Sequence, residues 1–260
     1  MSVSLSLQDR VALVTGGSRG IGAATVRLLV QAGAKVAFNY QKAQEAAEAL
    51  VRECGADQCH AVACDLTGTE SAQALVSAAV QRFGRLDILV VNHGVWPEVD
   101  VGVDKMPDTQ WRNTLAINLD AVFAVTKHTV TQMKRQSRQG AAAGHIVLVS
   151  STSGQRGEAF HIDYSASKGA LISMTKSLSS ELIRQGIYVN CVAPGWVDTD
   201  MSAGALADPK TSAAVLGTIP LGRVGTPTEI AGPIVFLCTE LAGFISGEIF
   251  NVNGGAVLVG

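Results

Sequence analysis

Short runs of consecutive apolar residues recur along the chain, and each is followed by a longer stretch with helical periodicity. The runs are RVALVTG, KVAFNY, CHAVACD, LDILVVN, HIVLVSS, IYVNCVAPG and GEIFNVNGG. Helical patterns cover Ile21 to Gln31, Ala43 to Glu53, Glu70 to Phe83, about Thr109 to Lys134, Tyr164 to Gln185, and about Pro227 to Cys238. A strand that is apolar at nearly every residue, rather than at alternate ones, needs cover on both faces, and intervening helices supply it. The pattern therefore predicts an α/β fold with a doubly wound parallel sheet. Ligands of such sheets bind outside the carboxyl ends of the strands, so residues just after each strand are the first functional candidates.

The chain has 260 residues, 47% hydrophobic and only 5% aromatic, with 27 glycines, which suits a single large α/β domain over residues 1–260. No linker, repeat or low-complexity segment divides it. A net charge of −2 calls for neither nucleic acid nor an anionic membrane surface. The five cysteines are odd in number and form no C-x-x-C pair, which argues against a disulfide framework and against a zinc site. The opening MSVSLSLQDR has no positive leader before an apolar core, and no apolar window is long enough to span a bilayer. A cytoplasmic protein with free thiols is expected.

Candidate residues do follow the strands. TGGSRGIG, Thr15 to Gly22, comes after the first and opens a helix; its glycines let the backbone turn sharply and approach a pyrophosphate at the helix N-terminus. Asp65 follows the third strand, either lining the crevice or capping the next helix. Asn92-His93-Gly94 follows the fourth. Ser151 follows the fifth, where a hydroxyl can hydrogen-bond a carbonyl, with Ser150 and Ser153 as competitors. In DYSASKGAL, Tyr164 and Lys168 stand four apart, hence on one helix face. A phenol titrates near pH ~10, and a neighbouring cation is expected to draw it toward the range useful for proton transfer.

With Thr15-Gly16-x-x-x-Gly20-x-Gly22, Asn92-x-Gly94, Asn118, Ser151, Tyr164-x-x-x-Lys168 and Pro194-Gly195 in this order, the whole chain resembles a short-chain dehydrogenase/reductase. The resemblance implies a Rossmann-type fold, a nicotinamide cofactor and a catalytic tetrad of Asn118, Ser151, Tyr164 and Lys168. Tyr164 would donate a proton to the substrate oxygen that Ser151 holds. Lys168 would keep the phenol acidic and grip the nicotinamide ribose, and Asn118 would anchor a water linking Lys168 to solvent. Thr199 would bond the nicotinamide carboxamide. Further cofactor contacts are expected from Gly16, Ser18, Arg19, Gly20, Ile21, Gly22, Asn39, Tyr40, Asp65, Leu66, Asn92, Gly94, Pro194, Gly195 and Val197, along with Tyr164 and Lys168 themselves. A homotetramer paired through the long helices is implied as well.

Two features depart from the family pattern. His93 replaces the usual alanine after Asn92, and it is expected to fill space beside the cofactor ribose, outside the catalytic set. Trp96 then either lines a substrate pocket or covers its edge. The chain is most similar to 3-oxoacyl-carrier-protein reductases. Lys134, Arg135 and Arg138 are candidates for an acidic acyl carrier protein, but Gln185 stands where those reductases often carry arginine. The substrate is thus a 3-oxoacyl thioester or a free ketone. The second strand ends in Asn39-Tyr40 where NAD-binding relatives place a carboxylate, and Arg19 and Lys42 are placed to meet a 2′-phosphate, so NADP(H) is expected over NAD(H). Two other readings stay open: an NAD-dependent dehydrogenase of a sugar, polyol or secondary alcohol, and a non-catalytic dinucleotide sensor.

Overall fold

The computed structural model describes residues 5–138 and 140–258, so the first four residues of the opening segment, Gln139 and the last two residues lie outside the described residues. The strands are Val11–Thr15 (β1), Lys35–Tyr40 (β2), Cys59–Ala63 (β3), Ile88–Val91 (β4), Gly144–Val149 (β5), Ile187–Pro194 (β6) and Ile249–Val252 (β7). They form one sheet in the order β3-β2-β1-β4-β5-β6-β7, with every neighbouring pair parallel. The expected doubly wound, Rossmann-type sheet is borne out. Central β1, β4 and β5 are buried at every position, whereas the edge strands β3 and β7 are mostly half-buried.

Successive strand residues point to opposite faces, and each face has its own core. Ala12, Val14, Val36 and Phe38 pack on one side with Gly20–Gln31 (α1), Gln44–Cys54 (α2) and Pro227–Phe236 (α10). Val11, Leu13, Ala37 and Leu89 pack on the other with Thr69–Phe83 (α3), Ala121–Arg135 (α5) and Ile162–Leu182 (α7). The strand order reverses between β1 and β4, whose ends Thr15 and Val91 are register partners. The crevice that ligands use in this architecture opens there.

Four local features differ from the sequence expectation. The helix expected over Thr109 to Lys134 is divided into Asp108–Leu115 (α4), a π-helical turn Ala116–Asp120, and α5. The wider turn accompanies the burial of Asn118, which is fully enclosed and bonded to the β4 loop. A short helix Thr152–Arg156 (α6) follows β5, capped by Ser151. Helix α7 begins at Ile162 and ends at Leu182, passing into a 3-10 turn Ile183–Gln185. The segment from Trp196 to Gly222, outside the helical patterns of the sequence, carries Asp200–Ala207 (α8) and Pro209–Gly217 (α9). Asp208 begins α9 by accepting from Thr211 N at 2.8 Å, with Pro209 in the first helical position, where its missing N–H costs nothing.

Candidate active site

At the end of β1 the chain turns at Gly16 (φ +63°) and Gly20 (φ +52°), a left-handed conformation that favours glycine. Gly22 lies under this turn, and a Cβ there would run into the Gly16 carbonyl and lie 2.7 Å from Asn92 Nδ2. Asn92 braces the turn from β4: its Nδ2 donates to the carbonyls of Thr15 (3.2 Å) and Gly16 (3.1 Å). From β2, Asn39 Oδ1 accepts from Gly16 N at 2.9 Å while its Nδ2 donates to the Cys64 carbonyl at 2.9 Å. The turn opens α1, whose first turn carries no acidic residue. This is a bare helix N-terminus, closely approachable and suited to the phosphates of a dinucleotide.

The crevice is a cavity of about 470 Å³. Ser151, Tyr164 and Lys168 line one stretch of it, and the glycine turn lines another. Tyr164 is buried, and the Ser151 side chain is near enough to draw its phenol pKa downward. Lys168 Nζ donates to the Val149 carbonyl at 2.9 Å and lies 5.8 Å from the centre of the Tyr164 ring. Hydrogen bonds separate the three serines that spacing cannot. Ser150 Oγ donates to the Lys168 carbonyl at 2.7 Å, and Ser153 Oγ is paired with Ser165 Oγ at 2.7 Å. Ser151 Oγ accepts from Ser153 N at 3.1 Å, which leaves its own proton free to donate.

Asn118 lies behind the cavity rather than in it. Its Oδ1 accepts from Val95 N at 2.8 Å, and its Nδ2 donates to the Val95 carbonyl (2.9 Å) and to Ser167 Oγ (3.1 Å). A Cβ on Gly94 would lie 3.1 Å from Asn118 Oδ1 and 3.3 Å from Lys168 Nζ, so the loop passes closely over both. Asp163, fully buried at the start of α7, accepts from Thr114 Oγ1 at 2.7 Å and Gln110 Nε2 at 3.2 Å, tying α4 to the turn that carries Tyr164.

Burial governs the titrating groups. It pushes the Tyr164 phenol up to about 12, with the Ser151 side chain acting in the opposite sense. The expected acidification of the phenol by Lys168 is thus overridden, because desolvation disfavours the phenolate more than its neighbours favour it. Burial also draws Lys168 down to about 8 and His93 down to about 4, the nearby Lys168 charge adding to the latter. Such a concentration of perturbed groups in one cleft marks a functional site. His93 is neutral, with Nδ1 2.7 Å from Thr15 Oγ1, so its ring is turned onto the end of β1 while still bordering the cavity.

Aromatic side chains close the far end. Trp96 stacks on His161 (centroids 5.0 Å apart, planes 12° apart) and meets Trp196 edge-on (5.9 Å, 80°). Opposite the glycine turn, a Cβ on Gly20 would lie 3.2 Å from Thr199 Cγ2 at the start of α8. Arg19 NH1 pairs with Asp200 Oδ2 across this gap at 2.7 Å, both side chains being well exposed.

A family model described as enoyl-(acyl carrier protein) reductase matches residues 16–257. The chain belongs to the short-chain dehydrogenase/reductase family. A 3-oxoacyl-[acyl-carrier-protein] reductase of Synechocystis sp. is 38% identical over 256 residues, covering 97% of this chain and 99% of that protein. An acetoacetyl-CoA reductase of Rhizobium meliloti is 37% identical over 247 residues, covering 95% of this chain and 98% of that protein. The crystal structure of a short-chain dehydrogenase/reductase from Brucella melitensis, titled a glucose/ribitol dehydrogenase, superposes with a TM-score of 0.89 at 31% identity, covering 99% of this chain and all of that one. The protein is accordingly an NAD(P)-dependent oxidoreductase acting on CH–OH and C=O groups.

In this short-chain dehydrogenase/reductase the cavity gathers Gly16, Ser18, Arg19, Gly20, Ile21, Asn39, Tyr40, Asp65, Leu66, Asn92, Gly94, Pro194, Gly195, Val197 and Thr199 with Ser151, Tyr164 and Lys168. Gly22 and Asn118 support it from beneath. Asp65 does not cap α3, because that helix starts past Gly68, where Ser71 Oγ accepts from the Thr67 and Gly68 amides at 3.2 and 3.3 Å. Trp196, His161, Glu158 and Met201 escape the sequence reading. Trp196 at least was findable, since it directly follows the strand-end Pro194-Gly195.

The crowding at Gly22 makes a direct prediction. Gly22→Ala forces the glycine turn away from Asn92, at an overpacking cost of about 1–3 kcal/mol. It should lower the unfolding midpoint in urea and weaken stabilisation by added NADPH. A variant with unchanged values on both counts would contradict the tight approach described.

Proposed function

We propose that the protein is an NADPH-dependent carbonyl reductase, converting a 3-oxoacyl thioester or a ketone to the secondary alcohol with Tyr164 as proton donor. The observation that carries this reading is the convergence of Ser151, Tyr164 and Lys168 on one cavity with the glycine turn. A bound reduced nicotinamide supplies the hydride. As negative charge grows on the substrate oxygen, the Ser151 hydroxyl donates a hydrogen bond to it and the Tyr164 phenol gives up its proton. The raised phenol pKa suits this direction, since it keeps Tyr164 protonated at neutral pH. Lys168, still mostly cationic at pH 7, holds ribose hydroxyls and stabilises the phenolate left behind. Asn118 holds the Gly94–Val95 turn over Lys168 and anchors the water that returns a proton to it. The Synechocystis and Rhizobium relatives, a 3-oxoacyl-[acyl-carrier-protein] reductase and an acetoacetyl-CoA reductase, support a 3-oxo substrate.

The phosphate-bearing cofactor is favoured because β2 ends without a carboxylate. Both Asn39 and Tyr40 border the cavity, but Asn39 is only 5% exposed and its amide is already spent on Gly16 and Cys64, which leaves the Tyr40 position to meet the cofactor. Arg19 is held by Asp200, but an exposed pair of this kind is worth about 0–1 kcal/mol and yields readily to a bidentate phosphate. We further infer a cytoplasmic homotetramer. Phe123 on α5 is 57% exposed, and Trp111 on α4 and Ile162 on α7 are exposed as well, as expected of helices covered by another subunit.

Tyr164→Phe is expected to bind NADPH almost normally and to lose about 10²–10⁴-fold in kcat; near-parental turnover would refute the mechanism. In the parent, reduction should be level from about pH 6 and decline above about pH 8 as Lys168 loses its charge, the phenol staying protonated throughout. A rate that rises across pH 8 to 9 would assign the controlling group elsewhere.

For the cofactor, kcat/KM should favour NADPH, and Tyr40→Asp with Arg19→Ala should shift the ratio toward NADH. The pair avoids Asn39, whose replacement by aspartate would lose the donor to Cys64. A parent preferring NADH by about tenfold, about 1.4 kcal/mol, would overturn the assignment. Light scattering at micromolar concentration is expected to give the mass of four chains; a monomer would refute the assembly.

A further inference from the structure

The far end of the cavity has a composition that the hydride-transfer chemistry does not require. Trp96 and Trp196 stand at 80° to each other and both line the cavity that contains Ser151 and Tyr164. The Trp96 wall is fixed from behind. His161, 3% exposed, stacks on it, and His161 Nε2 lies 2.8 Å from the Pro97 carbonyl while Nδ1 lies 3.1 Å from that of Ala159. Trp96 is therefore a preset wall, offered at little ordering cost to an incoming group, and Trp196 makes a corner with it.

The charge around this corner is chiefly negative. Glu158 lines the cavity close enough to Tyr164 for its charge to favour the protonated phenol. Asp100 and Glu158 carboxylates lie 3.8 and 4.0 Å from His161 Nδ1, and Glu98 reaches toward α8, its Oε2 being 3.5 Å from where a Cβ on Gly204 would sit. Arg156 and Lys168 are the cations among the described lining residues at this end. The basic residues named as candidates for an acidic carrier are elsewhere. Arg138 donates to the Gln185 carbonyl at 2.7 Å, beside the residues entering β5 and β6, so it lies at the amino edge of the sheet, opposite the crevice within the chain.

We propose that Trp96 and Trp196 form an aryl subsite, so that the preferred substrates are uncharged ketones or 3-oxo esters bearing an aromatic ring beside the carbonyl, and anionic carrier-bound thioesters are disfavoured. The inference rests on the carbonyl-reductase reading and specifies its substrate class. The carbonyl carbon takes the hydride, two electrons and a proton, from the reduced nicotinamide, which becomes oxidised. The oxygen takes a proton from Tyr164, and a secondary alcohol results. Stacking against one indole and edge contact with the other discriminate an aryl from a methyl group, while Glu158 on the cavity wall, with Asp100 beside His161 and Glu98 facing α8, disfavours phosphates.

The test compares kcat/KM for ethyl benzoylacetate, ethyl acetoacetate and acetoacetyl coenzyme A, with saturating NADPH, for the parent, Trp196→Leu and Trp196→Phe. The parent should prefer the benzoyl ester over ethyl acetoacetate by about tenfold or more and use the coenzyme A thioester least well. Trp196→Leu should bring the aryl-to-alkyl ratio near one, and Trp196→Phe should retain most of it. A parent that uses acetoacetyl coenzyme A best, or an aryl-to-alkyl ratio unmoved by a folded Trp196→Leu, would overturn the aryl subsite and leave the reductase reading standing. If Trp196→Leu does not fold, the parent preference and the Trp196→Phe ratio decide by the same criteria. Failure of the parent to reduce any of the three with NADPH or NADH would instead remove the reductase reading on which the inference depends.

Discussion

Where β1 and β4 end side by side, the Asn92 side chain spans the gap between them, and the rest of the site is built outward from that bridge. Its two donated bonds hold the carbonyls of Thr15 and Gly16, while Asn92 N donates to Thr15 Oγ1 at 3.0 Å. Removed from water at a strand end, these groups would each cost about 1–3 kcal/mol if left unpaired. The bridge answers that need and in doing so sets the curvature of the glycine turn. Asn39 completes it from β2, so three strands agree on the position of one peptide unit. The amide-rich start of α1 is then presented to the crevice without any side chain in the way.

A second brace does for the proton-transfer groups what Asn92 does for the phosphate end. Lys168 is buried, and a buried ammonium is tolerable only with good acceptors around it. The Val149 carbonyl is one, and the loop at Gly94 packs over Nζ without a side chain. Asn118 holds that loop through both polar atoms of its amide, which it can reach only because the π-helical turn admits an extra residue. The irregularity in an otherwise long helix therefore belongs to the site. It links α4 and α5 to α7 through Ser167, just before the lysine.

How much of this was legible in the sequence depends on whether the responsible interaction is local. The strands were, because burial on both faces demands unbroken apolar runs such as ILVV in β4. The Tyr164 and Lys168 pairing was, because helical spacing alone brings them together. The choice of Ser151 over Ser150 and Ser153 was not, since it turns on bonds to Lys168 and Ser165 across the fold. Nor was the phenol's raised pKa, because spacing reveals a nearby lysine but not the desolvation that outweighs it. The π-helical turn hid for the same reason, its cause being the main chain of Val95. Helices α8 and α9 hid differently: Thr199 and the Asp208-Pro209 pair are local start signals, but the segment between them lacks a sustained apolar stripe.

The site thus combines two kinds of wall. Its floor is fixed by buried hydrogen bonds from several strands, and any displacement there leaves polar groups unpaired. The flap of α8 and α9 is attached by less. Val197 pairs with Gly225 as an isolated bridge, and Arg19 with Asp200 as an exposed ion pair worth about 0–1 kcal/mol. Opening the Arg19–Asp200 pair therefore costs little and breaks none of the floor's hydrogen bonds. A weak closure between the glycine turn and Thr199 would ease entry and release of the proposed dinucleotide there. Ser151, Tyr164 and Lys168 thus stand on the wall braced by buried hydrogen bonds, whereas Trp196 and Met201 border the cavity on the wall closed by the exposed Arg19–Asp200 pair.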